Sequence, residues 1–483
     1  MNRKMIGKVL GFILLLECVF LFPSALIAIA DGQMDVLRAF IGAMAAALAA
    51  GLALSFACRN AENHFYAREG FLIVGLGWIV LSAVGALPFW LSGEIPRFVD
   101  ALFEVISGFT TTGASILTAV EDMSRGLLFW RSFTHWLGGM GILVFVLAVV
   151  PVGEGGYSLY VLRAESPGPT VDKLVPKMKQ SAMILYGIYI ALTVLDVIFL
   201  LAGGMDLFEA LCTAFGTAGT GGFGVKNDSM AGYSPYIQSV CTVFMALFGV
   251  NFSLYFLLLL GRVKDVLKSD ELRLYLGIML GSMGAIALNI RSLFPSLREA
   301  FHHAAFAVSS IMTTTGFATE DFDLWPQFSR TILVILMVVG ASAGSTGGGI
   351  KCARVVILFR TLKARLRQML HPRSVNLVRM EGKTVSDDTI QGVYTYMTAY
   401  CAIAILSMLL LSLDDLSMET NFTAVMACLN NIGPGLDLVG PTRNYAHFSD
   451  LSKVVLMLNM LLGRLEIFPL LLMLSPRTWR KAG

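Results

Sequence analysis

Four times, between two long apolar stretches, the chain places a short apolar segment that ends in a glycine-containing polar knot. The segments read D-A-L-F-E-V-I-S-G-F-T-T-T-G-A-S (100–115), D-L-F-E-A-L-C-T-A-F-G-T-A-G-T-G-G-F-G (206–224), L-R-E-A-F-H-H-A-A-F-A-V-S-S-I-M-T-T-T-G-F-A-T (297–319) and M-E-T-N-F-T-A-V-M-A-C-L-N-N-I-G-P-G (418–435). Their glycines Gly113, Gly222, Gly316 and Gly433 follow one another at intervals of 109, 94 and 117 residues. One Thr-Gly knot is an ordinary helix end. Four at matching places in a repeated pattern define an architecture.

The flanking stretches have the length that crosses a bilayer, about 20 residues with almost no charge. Ten are read: Ile6–Ala30, Phe40–Cys58, Phe71–Leu91, Leu127–Pro151, Ser181–Ala202, Ile237–Leu260, Leu272–Leu288, Thr331–Ala343 with its continuation, Val393–Leu413 and Val454–Leu474. Only 14% of residues are charged and 56% are hydrophobic, against about 25% charged in soluble domains. The fold class is therefore an all-α integral membrane protein. The first stretch, with Arg3, Lys4 and Lys8 before it, imitates a signal peptide. Its run of about 25 residues exceeds the usual 7–15-residue core, so it reads as a retained helix.

Each of the four short segments is too short to cross and lies between two spans. The predicted organisation is residues 1–69 as two preliminary spans, then four units of span, short helix, loop and span over 70–180, 181–269, 270–388 and 389–483. With Met1 in the cytoplasm, 25 of the 36 Lys and Arg fall on the cytoplasmic side and 10 on the outer side, with Arg464 inside a span. That bias puts both termini inside and the four knots on the outer side. The richest basic run, R-T-L-K-A-R-L-R (360–367), continues the eighth span. It reads as a helix extended into the cytoplasm, or as an anchor against lipid headgroups.

A loop at membrane depth must be buried in protein or line water, because unpaired amides and carbonyls cost several kcal/mol each in hydrocarbon. Four such loops are expected to converge on one axis. The negative, C-terminal end of each short helix then points at that axis and favours a cation. Glycine admits positive φ, so successive carbonyls can turn inward and replace the water around a dehydrated ion. A threonine hydroxyl is expected to bond the neighbouring chain while its carbonyl stays free.

The span starting near Arg330 is interrupted by G-A-S-A-G-S-T-G-G-G-I-K (340–351). Five glycines cannot sustain a regular helix. A phosphate loop would need Lys followed by Ser or Thr after the glycines, and here Lys351 follows Ile350. A flexible intramembrane loop and a close contact of small residues between helices both remain. Arg464, costly inside a span, is expected to face a cavity or a partner, with a local pair to Glu466 or a carbonyl as the alternative. The expectation is a gate in which Gly344, Ser345, Thr346, Gly347, Gly348, Gly349, Lys351 and Arg464 obstruct the path.

Other polar residues are less directive. Glu104 and Glu209 either draw cations to the mouth or are solvated helix ends. Glu320, Asp321, Asp323 and Asp437 are an attracting vestibule or wet loops. His302 and His303 point about 100° apart on a helix and make a poor metal pair. The seven cysteines show no paired spacing and read as small buried hydrophobes. No catalytic triad, zinc motif or dinucleotide fingerprint is present.

With G-F-T-T-T-G-A-S (108–115), W-R-S-F-T-H-W-L-G-G-M-G-I (130–142), A-G-T-G-G-F (218–223), T-T-T-G-F-A-T (313–319), G-S-T-G-G-G-I-K (344–351), N-N-I-G-P-G (430–435) and G-R-L-E-I-F-P (463–469), the whole chain resembles the Trk/Ktr/HKT superfamily of potassium transporters, most closely its bacterial TrkH branch. The resemblance implies four M1–P–M2 repeats, as in potassium channels, around one pore, with two preceding helices. It also implies a homodimer in the bacterial inner membrane, K+ as the permeant ion, and a cytosolic TrkA-like ring that binds the regulatory nucleotide. This chain itself is expected to bind neither nucleotide nor nucleic acid. Carried over by motif, the filter carbonyls belong to Thr110, Thr111, Thr112 and Gly113; Gly219, Thr220, Gly221 and Gly222; Thr313, Thr314, Thr315 and Gly316; and Asn430, Asn431, Ile432 and Gly433. The second and fourth copies depart from T-T-T-G, and the second also shows an altered gap between Phe215 and its glycine. These departures predict a less rigid, less selective filter. The rival readings are a cation symporter with broken helices around a midplane site and a membrane enzyme, for which no ionisable cluster is found.

Overall fold

In the computed structural model, residues 2–61, 67–141, 178–374 and 376–479 are described. The end of the predicted span Leu127–Pro151, the basic segment Arg163 to Lys177 and the basic residues Arg480 and Lys481 lie outside the described residues.

Helices dominate. α1 (Arg3–Ala30) and α2 (Met34–Ala57) form an antecedent pair. Their close approach is possible because small residues face each other: Gly11 meets Ser55 and the Gly51 carbonyl so closely that no Cβ would fit. The repeated units follow. The first comprises α3 (Ala67–Gly85), α4 (Leu87–Leu91), α5 (Phe98–Phe109) and α6 (Arg125–Gly139). The second comprises α7 (Met178–Ala202), α8 (Leu207–Gly219), α9 (Pro235–Phe248) and α10 (Phe252–Leu259), with a short α11 (Val263–Lys268) after it. The third has α12 (Asp270–Ile290), α13 (Leu297–Met312), α14 (Gln327–Val338) and α15 (Cys352–Leu370). The fourth has α16 (Asp387–Leu411), α17 (Met418–Leu429), α18 (Asp450–Arg464), α19 (Phe468–Leu474) and a terminal turn α20 (Pro476–Trp479). A two-stranded hairpin, β1 (Arg379–Met380) with β2 (Lys383–Thr384), joins the third unit to the fourth.

Six described helical stretches are long and apolar enough to cross a membrane: 3–30, 34–57, 68–91, 180–202, 270–293 and 387–414. These are the two preliminary spans and the first span of every unit. The chain is a multi-pass membrane protein.

In the first, second and fourth units the second spans behave differently from the continuous helices read in the sequence. The predicted Ile237–Leu260 bends by 90° between α9 and α10. The predicted Val454–Leu474 breaks after Arg464, where Glu466 and Ile467 have φ of +56° and +69°. In the third unit the break is the expected one: α14 ends at Val338, just before the 340–351 segment. In the first unit α6 ends at Gly139, and Gly141 has φ +78°. Hydropathy registers only that these stretches are apolar. It does not register that each break packs against a short helix: Gly249 against Thr313, and Gly463 against the Leu429 carbonyl.

Three of the short helices, α8, α13 and α17, start from side-chain caps, whereas α5 follows Arg97 without one. Asp206 accepts from the Phe208 amide, Ser296 from Glu299 and Ser417 from Thr420. Side-chain oxygens thereby satisfy amides that have no partner in the first turn. Large buried aromatic side chains, among them Phe103, Phe109, Trp130, Phe248 and Phe306, fill the space behind these helices.

Candidate functional site: four loops, one ring

All four short helices end in the same way. Two residues before each glycine stands a residue with left-handed backbone: Thr111 (φ +55°), Thr220 (+54°), Thr314 (+61°) and Asn431 (+57°). The glycines themselves have φ of +78°, +76°, +88° and +94°. The amide of the left-handed residue bonds the carbonyl three back, as from Thr111 to Gly108 at 3.0 Å and from Asn431 to Cys428 at 3.3 Å. The next amide reaches five back: Thr112 to Ser107, Gly221 to Gly216, Thr315 to Ser310 and Ile432 to Ala427, at 2.8–2.9 Å. That double closure is a Schellman cap. It is built here on threonine and asparagine, and a left-handed β-branched residue persists only where its surroundings enforce it.

The alignment corrects one sequence inference. The residue matching Phe109 in the second copy is Ala218, four before its glycine, not Phe215. The apparent gap difference vanishes, and all four loops share one backbone path.

The loops close on one another in chain order. A Cβ on Gly113 would strike the Gly221 carbonyl, and one on Gly222 the Thr315 carbonyl. One on Gly316 would strike the Ile432 carbonyl, and one on Gly433 would lie 2.7 Å from the Thr112 carbonyl. First meets second, second meets third, third meets fourth and fourth meets first. The sixteen residues named from the sequence are thus gathered in a single ring of backbone, with glycine needed at each joint.

Side chains lock the ring from behind. Thr110 donates to the Ile106 carbonyl at 2.6 Å and shares a 2.8 Å hydrogen bond with Thr112. Thr313 does the same with Ser309 and Thr315. The hydroxyls of Thr110 and Thr313 therefore serve their own segment, while those of Thr111, Thr112 and Thr314 accept from other parts of the chain, as expected of the threonines. The bond between loops comes from Asn431, whose Nδ2 donates to Thr112 Oγ1 at 3.0 Å and to the Met460 carbonyl at 2.8 Å. In the fourth copy Asn430 replaces the first threonine and makes the equivalent bond, Nδ2 to the Met426 carbonyl at 2.8 Å.

The second copy has glycines where threonines stand elsewhere because His135 occupies that space. A Cβ on Gly219 would meet the His135 carbonyl, and one on Gly221 the imidazole ring. The buried ring bridges two loops: Nδ1 lies 2.7 Å from the Gly108 carbonyl, and Nε2 accepts from the Phe223 amide at 3.2 Å. These contacts require a neutral ring with the proton on Nδ1. Arg131, one turn earlier on α6, donates to Glu104 at 2.6 Å and to the Gly224 carbonyl at 3.0 Å. Glu104 also takes Ser115 Oγ and the Ile116 amide. Buried and saturated, Glu104 draws no cation to a mouth. Tyr445 donates to the Gly433 carbonyl at 2.6 Å. His135, Arg131 and Tyr445 were not singled out in the sequence; the only signal was the tight W-R-S-F-T-H-W-L-G-G cluster.

Under the ring sits the 340–351 segment. It is pinched at its base by Gly340 N to Ile350 O at 3.0 Å and Cys352 N to Ala341 O at 3.1 Å. Its tip lies against loops three and four: a Cβ on Gly347 would stand 2.8 Å from the Thr313 carbonyl, and one on Gly348 would strike the Asn430 carbonyl. The Gly348 amide donates to Thr314 Oγ1 at 2.6 Å, and Thr346 Oγ1 to the Phe248 carbonyl at 3.2 Å. Gly344 faces the bend of the second unit, where the Phe252 amide bonds its carbonyl at 3.0 Å, and Ser345 Oγ donates to the Ser342 carbonyl at 2.7 Å. Gly349 holds φ +72°. Lys351 is buried and folds back onto the Gly347 and Gly348 carbonyls, 3.2 Å from the latter. Below, Glu271 Oε1 accepts from the amides of Ala343 at 2.6 Å and Ala353 at 2.9 Å, holding both ends of the segment. Glu271 was also missed by sequence reading.

Arg464 reaches across this space. Nη1 donates to the Thr346 carbonyl at 2.9 Å and Thr111 Oγ1 at 3.1 Å, and Nη2 to the carbonyls of Gly139 at 2.6 Å and Gly138. Of the alternatives read in the sequence, Glu466 pairs with Arg354, whereas carbonyls do take the guanidinium. One guanidinium thus ties its own unit, the fourth, to the first and the third.

Comparison with known proteins places this arrangement. The family model described as TrkH, cation transport protein, matches residues 36–280 and 291–481. The Trk system potassium uptake protein TrkH of Salmonella typhimurium is 36% identical over the full length of both chains, as is that of Escherichia coli K12. TrkG of Escherichia coli K12 is 31% identical over 99% of both. The crystal structure of the potassium transporter TrkH from Vibrio parahaemolyticus superposes with a TM-score of 0.89 at 32% identity, covering 99% of this chain and all of that one. These relatives are transporters and not enzymes, and this chain belongs to the TrkH family of cation transport proteins.

Proposed function

We propose that this chain takes up K+ across the bacterial inner membrane through the ring of four loops. The observation that carries the reading is the closed ring of positive-φ backbone with an obstructing segment and an arginine directly beneath it. Carbonyls at Thr110–Gly113, Gly219–Gly222, Thr313–Gly316 and Asn430–Gly433 replace the hydration shell of the ion, and the C-terminal ends of four short helices lower its energy. The 344–349 loop, folded around Lys351, closes the path, and Arg464 adds an electrostatic barrier. Opening requires the loop to leave Thr314 and Arg464 to leave Thr346. A cytosolic TrkA-like ring supplies nucleotide control to a homodimer whose termini face the cytoplasm, a reading that rests on the resemblance; the described residues form no nucleotide fold.

The symporter reading gains support from the broken second spans. Those breaks pack onto one common ring, however, and not around a site between inverted halves, which favours the pore. Expression in bacteria lacking potassium uptake tests the proposal. Growth at low potassium is the expected result, together with rubidium flux exceeding sodium flux through purified protein in vesicles. No rescue and no cation flux would overturn it.

A further inference from the structure

The cytoplasmic side carries a second constructed feature, apart from the path. Helix α15 leaves the intramembrane loop and presents two parallel stripes. Arg360, Lys363 and Arg367, spaced three and four apart, occupy one face. Phe359, Leu362, Leu366, Met369 and Leu370 form the adjacent face and are all more than half exposed. The basic face forms one wall of a cleft of about 460 Å³, whose other wall is the segment 376–379 with Asn376 and Arg379. Among the described residues no carboxylate lines the cleft. Arg360 is partly neutralised by Asp270 at 2.8 Å. Lys363, Arg367 and Arg379 form no ion pair among the described residues.

We propose that this cleft binds the headgroup phosphate of an anionic phospholipid, and that its occupancy biases the intramembrane loop. Three cations without counter-charge around a concave space suit a phosphate. The exposed apolar stripe beside them selects a lipid over free phosphate, because it offers surface to acyl chains at the depth where the basic stripe meets headgroups. The link to the loop is short. Arg360 bonds Asp270, the first residue of α12, and its neighbour Glu271 holds the amides on both sides of the loop. The hairpin turn fixes the same corner: Glu381 Oε1 accepts from Ser269 Oγ and the Asp270 amide at 3.0 Å each. A phosphate that draws Arg360 away from Asp270 therefore acts one residue from the loop's anchor. The regulatory half of this inference rests on the gating role proposed above; the binding half does not.

The test uses the full chain and two triple variants. One is Lys363→Gln, Arg367→Gln, Arg379→Gln in the cleft. The other is Arg262→Gln, Lys264→Gln, Lys268→Gln on α11, also exposed and basic. All substituted side chains are exposed, and monodisperse elution checks folding. Phosphatidylglycerol retained by purified protein is counted by native mass spectrometry. The expected result is binding to the wild type, weakened about a hundred-fold in the cleft variant, the attraction of three near-surface cations, and changed less than about three-fold in the α11 variant. Equal loss in both variants, no loss in the cleft variant, or displacement of the lipid by millimolar inorganic phosphate would overturn the site. Rubidium flux is then compared in phosphatidylcholine vesicles with and without phosphatidylglycerol. A several-fold lipid response in the wild type, absent in the cleft variant, supports transmission; lipid binding without any change in flux refutes it. Flux in pure phosphatidylcholine reports the pore alone, so failure there counts against the pore and not the cleft.

Discussion

Nη1 of Arg464 stands 2.9 Å from the carbonyl oxygen of Thr346, near the tip of the intramembrane loop. The same guanidinium also holds Thr111 and the Gly138–Gly139 carbonyls. It ties the ring of loops, the 340–351 segment and the end of α6 together in one half-buried hub.

Replacing Arg464 by alanine removes several charge-assisted bonds, each worth about 1.5–3 kcal/mol. About 1.4 kcal/mol suffices for a ten-fold population shift. Arg464→Ala is therefore expected to raise rubidium flux in vesicles at least about ten-fold, and Arg464→Lys by less, since an ammonium cannot reproduce the planar fork. Unchanged flux in Arg464→Ala speaks against the hub as a gate.

Thr314 makes the complementary test. Its hydroxyl accepts the Gly348 amide at 2.6 Å. Thr314→Val keeps the shape and strands that amide, at about 1–3 kcal/mol. Flux is expected to rise several-fold in Thr314→Val and to stay near the wild-type level in Thr314→Ser. Identical fluxes in the two variants would show that the hydroxyl does not restrain the loop.

The His135 arrangement predicts coupling. Gly221→Ala sets a methyl against the imidazole, an overpacking that costs about 1–3 kcal/mol. His135→Ala strands the Gly108 carbonyl and the Phe223 amide. Because the collision vanishes once the ring is gone, the double variant is expected to be more stable than the sum of the singles by about 0.5–3 kcal/mol. Thermal unfolding in detergent measures this, and strict additivity would deny that the ring dictates glycine there.

Glu104 and Arg131 form a fully buried pair at 2.6 Å. Arg131→Met alone leaves an uncompensated carboxylate and is expected to cost about 3–5 kcal/mol, whereas Arg131→Met with Glu104→Leu recovers most of it. The comparison is again thermal, with expression level as a second readout.

Outside the membrane, Asp437 accepts from Ser417 and from Thr420 Oγ1 at 2.6 Å. These two hydrogen bonds, Ser417 first, hold its carboxyl below the ordinary range. A depressed folded pKa contributes stability that is present above the unfolded value, about 3.9, and is lost as pH falls through the folded value. Amide protection across 417–423 is expected to decline in that acid window, and Asp437→Asn is expected to abolish the pH dependence. A decline of equal size in the variant would place its origin elsewhere.

The knots were legible because small polar residues and glycine stand out at the end of an apolar segment, and because they recur. The first spans were legible for their length. The breaks in the second spans were not. Gly249-Val250-Asn251 and Leu465-Glu466-Ile467 are unremarkable in composition, and Ile467 accepts φ +69° only where its neighbours, including the Glu466–Arg354 pair, fix the chain. His135 and Glu271 escaped notice for a related reason. Each acts on a segment far away in sequence, 86 residues in the case of His135 and Gly221 and 72 in that of Glu271 and Ala343. No local pattern announces such a partner.

The ring is assembled from four unlike quarters on a single polypeptide. In an assembly of identical subunits, one codon change would alter every quarter together. Here a change at Thr220 or Asn430 touches one quadrant and leaves the rest intact. Under the proposed reading of the ring, ion preference is open to inheritance in small increments, one side of the aperture at a time.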